Sequence, residues 1–183
     1  MARVVLVRHG HPRQEGEDHA HWALSSEGRA AAALLSKDPI WKGVGLLLTS
    51  PERKAEETAR VIAEALGTPV EIREDLREVR RPWEAEGYED KIRAFLKGRA
   101  PKGWETREAA EARLQRVVSK ITGAKADIGV VSHALLLTLF LARASSSEPA
   151  FWLQHSIGFA EFAVYESDAD VLLQGFRRPT PRT

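Results

Sequence analysis

Residues Val4 to Val7 are four consecutive apolar positions, mostly β-branched, and they are followed at once by Arg8, His9, Gly10 and His11. A short apolar run cut off by polar residues is the pattern of a strand buried on both faces, as in a parallel sheet. Val44 to Leu48 and Asp127 to Ser132 repeat it, and Val70 and Ile72 suggest a shorter strand. Between these runs the period changes. After Pro51, the stretch ERKAEETARVIAEAL places Ala55, Thr58, Ala59, Ile62, Ala63 and Leu66 on one helical face, and Gly67 ends it. Ser25 and Ser26 precede EGRAAAALL and offer a serine N-cap. Further helices are expected near 88–97 and 105–122, from His133 to about Ala142, and near 149–154. EFAVY and DVLLQGF flank Ser167-Asp168-Ala169 and read as a closing hairpin.

Strands alternating with helices predict a three-layer α/β sandwich. Its central sheet is mostly parallel, with helices on both faces and the hairpin as an antiparallel edge. The helical stretch 85–122 is expected as a cap over one end of the sheet. Residues 1–176 are expected to form one domain, and 177–183, RRPTPRT, a mobile tail. The chain's 183 residues suffice for one substantial core, and 43% hydrophobic with 29% charged residues is ordinary for a soluble domain. No run approaches the roughly 18 apolar residues of a membrane span. The apolar run after Met1 stops at Val7, too short for a signal-peptide core. The absence of cysteine removes disulfides, thiolate metal sites and a cysteine nucleophile, and together these features favour a cytoplasmic location. A net charge of +1 argues against a nucleic-acid partner held by bulk charge.

Chemistry concentrates at three strand ends: RHG after the first strand, SPER after the second, SH after the Asp127 strand. Ligands of parallel sheets bind beyond the carboxyl ends of strands. Convergence of these ends puts Arg8, His9, Arg53 and His133 in one pocket. Two guanidiniums and two imidazoles repel one another unless an anion binds between them, and the arginine fork matches phosphate. Neutral imidazole is also a competent nucleophile near pH 7.

LVRHG, SPERKAEETA, Glu78 in LREV, and VVSH together resemble the histidine phosphatase superfamily, which includes phosphoglycerate mutases. The family's S-x-x-x-R-A-x-x-T-A helix start is matched through Ser50, Arg53, Thr58 and Ala59, with Lys54 in the place of its alanine. LSSEGRAAA resembles its L-T-x-x-G helix through Leu24, Ser25 and Gly28, and KGWETREAAEAR its G-E-S segment through Glu105 and Thr106. The matches run in order from residue 4 to about 140. The resemblance implies that His9 attacks phosphorus and becomes phosphorylated. Arg8, Arg53 and His133 then hold the phosphoryl oxygens. Gly10 allows close backbone approach, and its carbonyl fixes the His9 tautomer. Glu78 protonates the leaving oxygen and helps activate water. No cofactor or metal is required, because the cations are side chains. The implied partner is a small phosphorylated metabolite, not nucleic acid or a membrane.

Departures from the family narrow the reading. Mutase-like members carry RHG-E-[ST] and a nearby asparagine, whereas this chain has His11 and Pro12 and no asparagine. That favours a metal-independent phosphomonoesterase over a phosphoglycerate-mutase-type phosphotransferase, with a protein phosphohistidine phosphatase as the other alternative. Ala134 follows His133 where the acid phosphatase and phytase branch has an aspartate. VRRPWEAEG matches the family's G-x-W-E-G only loosely, so Glu84 and Glu86 rival Glu78 as the acid. Arg77, Arg80 and Arg81 either meet an extra anionic group on the substrate or form a solvated charged loop. His11, Glu84 and His155 are further candidate substrate contacts. The five tryptophans read as packing, with Trp83 and Trp104 also placed to line the pocket.

Two readings lie outside this one. His9-Gly10-His11 and His19-Ala20-His21 are H-x-H pairs of the kind that bind metal in amidohydrolase-like barrels. That reading leaves Arg8 and Arg53 unexplained, and 183 residues fall short of a barrel's roughly 250. A non-catalytic phospho-ligand binder on the same fold is the other, and intact His9 and His133 argue against it.

Overall fold

A computed structural model describes residues 2–16, 18–83, 86–122, 124–144 and 150–180. Six strands form one sheet: β1 (Arg3–Arg8), β2 (Val44–Thr49), β3 (Val70–Ile72), β4 (Asp127–Ser132), β5 (Phe162–Glu166) and β6 (Val171–Arg177). Their spatial order is β3-β2-β4-β1-β5-β6. The first four of these positions are parallel, and β5 and β6 add antiparallel. The expected closing hairpin is therefore the antiparallel edge.

The apolar runs are continuous because both faces of the central strands are covered. Val4, Leu6, Leu48, Ile128 and Val130 share one core with α3 (Tyr88–Leu96), α4 (Arg107–Ile121), α5 (Ala134–Ala144) and α6 (Ala150–Ser156). Val5, Val7, Leu47 and Val131 face the other way, toward α1 (Ser26–Leu35) and α2 (Arg53–Leu66). Fully burying one such side chain stabilises by roughly 1.5–3 kcal/mol. The result is a three-layer α/β sandwich. Within the stretch expected as a cap, α4 lies in the helical layer, burying Ala110, Leu114 and Val117, while Tyr88 at the start of α3 reaches the mouth of the cavity described below.

Local signals set the helix ends. Ser25 Oγ accepts the Gly28 N–H at 3.0 Å and starts α1, and Gly67 stops α2 at φ 65°. Thr106 caps α4 by accepting from the Ala109 N–H. β6 runs to Arg177, and beyond it the Thr180 N–H donates to Asp38 Oδ2 at 2.9 Å. Among the described residues no helix is long and apolar enough to cross a membrane.

Register brings the polar strand ends together. Arg8 lies beside Ser132, and Thr49 beside Val131. RHG, SPER and SH therefore emerge level, side by side, at one edge of the sheet.

Candidate active site

His9 leaves β1 with its N–H bonded to Ser132 O at 3.0 Å, which ties the end of β1 to β4. Its Nδ1 lies 2.7 Å from Gly10 O. A carbonyl only accepts, so Nδ1 carries the hydrogen and Nε2 keeps a lone pair. Burial, with His133, Lys54 and Arg8 nearby, holds His9 well below the usual imidazole pKa, so the ring is neutral near pH 7. The Gly10 N–H donates to Thr58 Oγ1 at 3.0 Å. A Cβ on Gly10 would lie 2.7 Å from Gly28 O. The small size of Gly10 thus serves contact with α1. Gly10 is not among the residues that line the cavity, contrary to the expected phosphate approach.

His133 follows β4 and is 1% exposed. Its Nε2 lies 2.8 Å from Ser50 Oγ and 3.6 Å from Glu52 Oε1. Burial, then Lys54 and Arg8, hold it too well below the usual value. The two imidazole rings stand 5.0 Å apart, centroid to centroid.

The expected clamp from α2 requires a correction. Arg53 does not line the cavity; its side chain is 58% exposed and pairs with Glu57 along the helix at 2.8 Å. Lys54, one residue on, turns inward and is buried. Its Nζ donates to Glu52 Oε2 and to His19 O, each at 2.6 Å. Counting the family pattern from Ser50 to Thr58 puts the arginine position at Lys54, so the signal was available in the spacing. Glu52 is the other residue that was missed, and nothing local in the sequence marks it. Burial pushes its carboxyl up, but Lys54 and the Glu78 N–H, 2.9 Å from Oε1, hold it below the ordinary range.

Arg8 places Nη1 2.5 Å from Ile157 O and lays its guanidinium 3.8 Å over the Phe159 ring. Its Nε is buried with no hydrogen-bond partner among the described residues. A buried donor left unpaired costs about 1–3 kcal/mol.

Glu78 also lines the cavity. Its Oε1 accepts the Val79 and Leu136 N–H groups at 2.9 and 3.0 Å, and its Oε2 accepts the Leu135 N–H at 3.2 Å. Glu78 therefore caps the first turn of α5 from 57 residues away.

These groups surround a cavity of about 250 Å³ lined by Arg8, His9, Glu52, Lys54, Glu78, Arg81 and His133, among others. Of the remaining expected contacts, Arg81 joins it. Arg77 pairs instead with Glu74 at 2.5 Å, His11 is exposed beside Ser25, and His155 faces Phe151 O and Glu89. Glu84 lies outside the described residues, and Glu86 is exposed and off the cavity. Trp83 lines the cavity, whereas Trp104 packs on Tyr88 and Phe95. Trp22, expected only to pack, also faces the cavity. Among the described residues no group of three His, Cys, Asp or Glu side chains is placed to hold a metal ion.

The fold has relatives. A protein of Hydrogenobacter thermophilus with a provisional name as phosphoserine phosphatase 2 is 34% identical over 83 residues, 43% of this chain and 41% of that protein. The chain thus aligns with less than half of that relative's length. The α-ribazole phosphatase of Shigella flexneri superposes with a TM-score of 0.74 at 23% identity, over 97% of this chain and 95% of that one. A phosphoserine phosphatase from Entamoeba histolytica, solved with 3-phosphoglyceric acid, gives 0.76 at 19% identity over 98% of both chains. The family model of the histidine phosphatase superfamily (branch 1) matches residues 4–172, and the chain belongs to that superfamily.

Proposed function

We propose that the protein hydrolyses a small phosphomonoester through a phosphohistidine at His9. The observation that carries this is the Nδ1 to Gly10 O bond at 2.7 Å, which leaves the Nε2 lone pair available in a cavity lined by cations. In the first step Nε2 attacks phosphorus and the P–O ester bond breaks. The leaving oxygen takes the proton carried by Glu78. In the second step water gives a proton to Glu78 and its oxygen attacks phosphorus. The P–N bond breaks, His9 is regenerated and inorganic phosphate departs.

In this reading Arg8, Lys54 and His133, which line the cavity, hold the phosphoryl oxygens, where transition-state charge collects. The unpaired Nε of Arg8 supports this role. Among the described residues Lys54 has two of its three N–H donors engaged, which leaves one for a ligand. The step draws its positive charge from side chains and needs no metal.

The test is a phosphomonoester panel in chelator, with 3-phosphoglycerate run with and without bisphosphoglycerate primer. Phosphate release by the wild type and none by His9→Ala is the expected result. Isomerisation outrunning phosphate release overturns the phosphatase reading in favour of a phosphotransferase.

A further inference from the structure

The chemistry above uses one side of the cavity. The other side is aromatic: Trp22, Trp83, Tyr88 and Phe159 line the same space as His9. Trp83 is 40% exposed and Phe159 38%, although both sit beside a charged centre. Their neighbours fix them in place. The Trp83 ring stands edge-on to Trp22 at 5.1 Å, and Trp22 is anchored by its Nε1–H to Glu15 O at 2.8 Å. Phe159 lies 5.5 Å from the His9 ring, centroid to centroid, and under the Arg8 guanidinium. Arg81 braces Tyr88 with its Cζ 4.5 Å from the ring.

Large rings open to water next to polar groups mark a surface that a ligand covers. Here the cationic end accounts for the phosphoryl group, so the rings are left for what the phosphoryl group is attached to. A cavity of about 250 Å³ holds a phosphoryl group and a leaving group on the scale of one ring. Flat rings pack on flat rings with an attraction beyond area burial alone.

We infer that the substrate's leaving group is aromatic and seats against Trp83 and Phe159, so that the protein prefers phosphomonoesters of ring-bearing alcohols to those of polar aliphatic alcohols. This rests on the phosphatase reading above. The wall acts on binding, and it enters neither bond-breaking step.

The experiment compares benzyl phosphate with glycerol 3-phosphate, both esters of alcohols, so that leaving-group acidity does not decide the outcome. Wild-type protein is expected to favour benzyl phosphate by about tenfold or more in kcat/KM. Trp83→Ala removes most of that preference through KM, leaves glycerol 3-phosphate within about twofold, and Trp83→Phe restores it. Equal kcat/KM for both substrates in the wild type, or equal loss on both in Trp83→Ala, overturns the aromatic subsite and leaves the phosphatase reading standing. Hydrolysis of neither substrate above the His9→Ala background overturns the phosphatase reading and this inference with it.

Discussion

Lys54 Nζ sits 2.6 Å from Glu52 Oε2 inside the cavity, with the two side chains only 7% and 4% exposed. In the proposed phosphate pocket this cation and anion divide their duties. The account gives Lys54 a donor for the ligand, and Glu52 accepts from Lys54 and from the Glu78 N–H.

The first prediction separates Lys54 from its neighbour. Lys54→Ala is expected to lower kcat/KM by roughly 10²–10³, the range for loss of one transition-state donor. Arg53→Ala, whose side chain is mostly exposed, should stay within about twofold. Phosphate-release kinetics on the two variants decide it. Lys54→Ala also leaves Glu52 buried without its partner, at a cost of about 3–5 kcal/mol. Adding Glu52→Gln should recover much of that stability in urea melts without restoring activity.

How the Arg53 expectation failed shows what was legible in the sequence. RHG and VVSH stand out because each closes a buried run, and strand register then makes them neighbours. Residues 53 and 54 are adjacent on a helix, and a shift of one position turns a side chain about 100° around the axis. Only the exact count from Ser50 and Thr58 picks the inward one. The aromatic wall was less accessible still, apart from Trp83, which the sequence already offered as lining the pocket. Trp22, Trp83 and Phe159 come from three separate irregular segments with no period to read. Glu78 was singled out as a candidate, but its capping of α5 was not read, because its partners lie 57 and 58 residues on.

Glu78 offers a second prediction, since the account gives one carboxylate two roles. Glu78→Gln keeps an acceptor for α5 but cannot deliver the proton. Turnover should fall steeply, with a small change in stability. Glu78→Ala should lose turnover and also about 0.5–2 kcal/mol, the usual cost of a lost helix cap. Paired activity and denaturation measurements check this. Full turnover in Glu78→Gln would assign the proton transfer elsewhere.

Glycine packing gives a third. An alanine inside a helix normally stabilises by up to about 1 kcal/mol over glycine. At Gly28 the opposite is expected, because a Cβ there would lie 2.1 Å from His11 O. Gly28→Ala should lower the melting temperature and displace the loop that follows His9, reducing activity as well. A thermal melt with a parallel assay reads both.

The pH dependence is the fourth. His9 and His133 are both depressed, by burial first and by neighbouring cations next. The folded state stays neutral at these rings where the unfolded chain takes up protons near its ordinary value of about 6.5. Their influence on stability is therefore absent above that pH. It becomes destabilising as pH falls below it, by at most about 1.4 kcal/mol per group per pH unit. Melting temperature should drop below pH 6.5, and His133→Asn should flatten part of that drop. His9, the proposed nucleophile, is held well below that value, so its own protonation should not set an acid limb of kcat/KM at 6.5.

The central claim is the bond between His9 Nε2 and phosphorus, and rapid acid-free quenching during turnover of a labelled phosphomonoester tests it most directly. The account predicts a phosphoprotein that forms within the first turnover, survives alkali, is lost in acid, and maps to His9. A label that is lost in alkali, maps to a carboxylate, or persists in His9→Ala would contradict it.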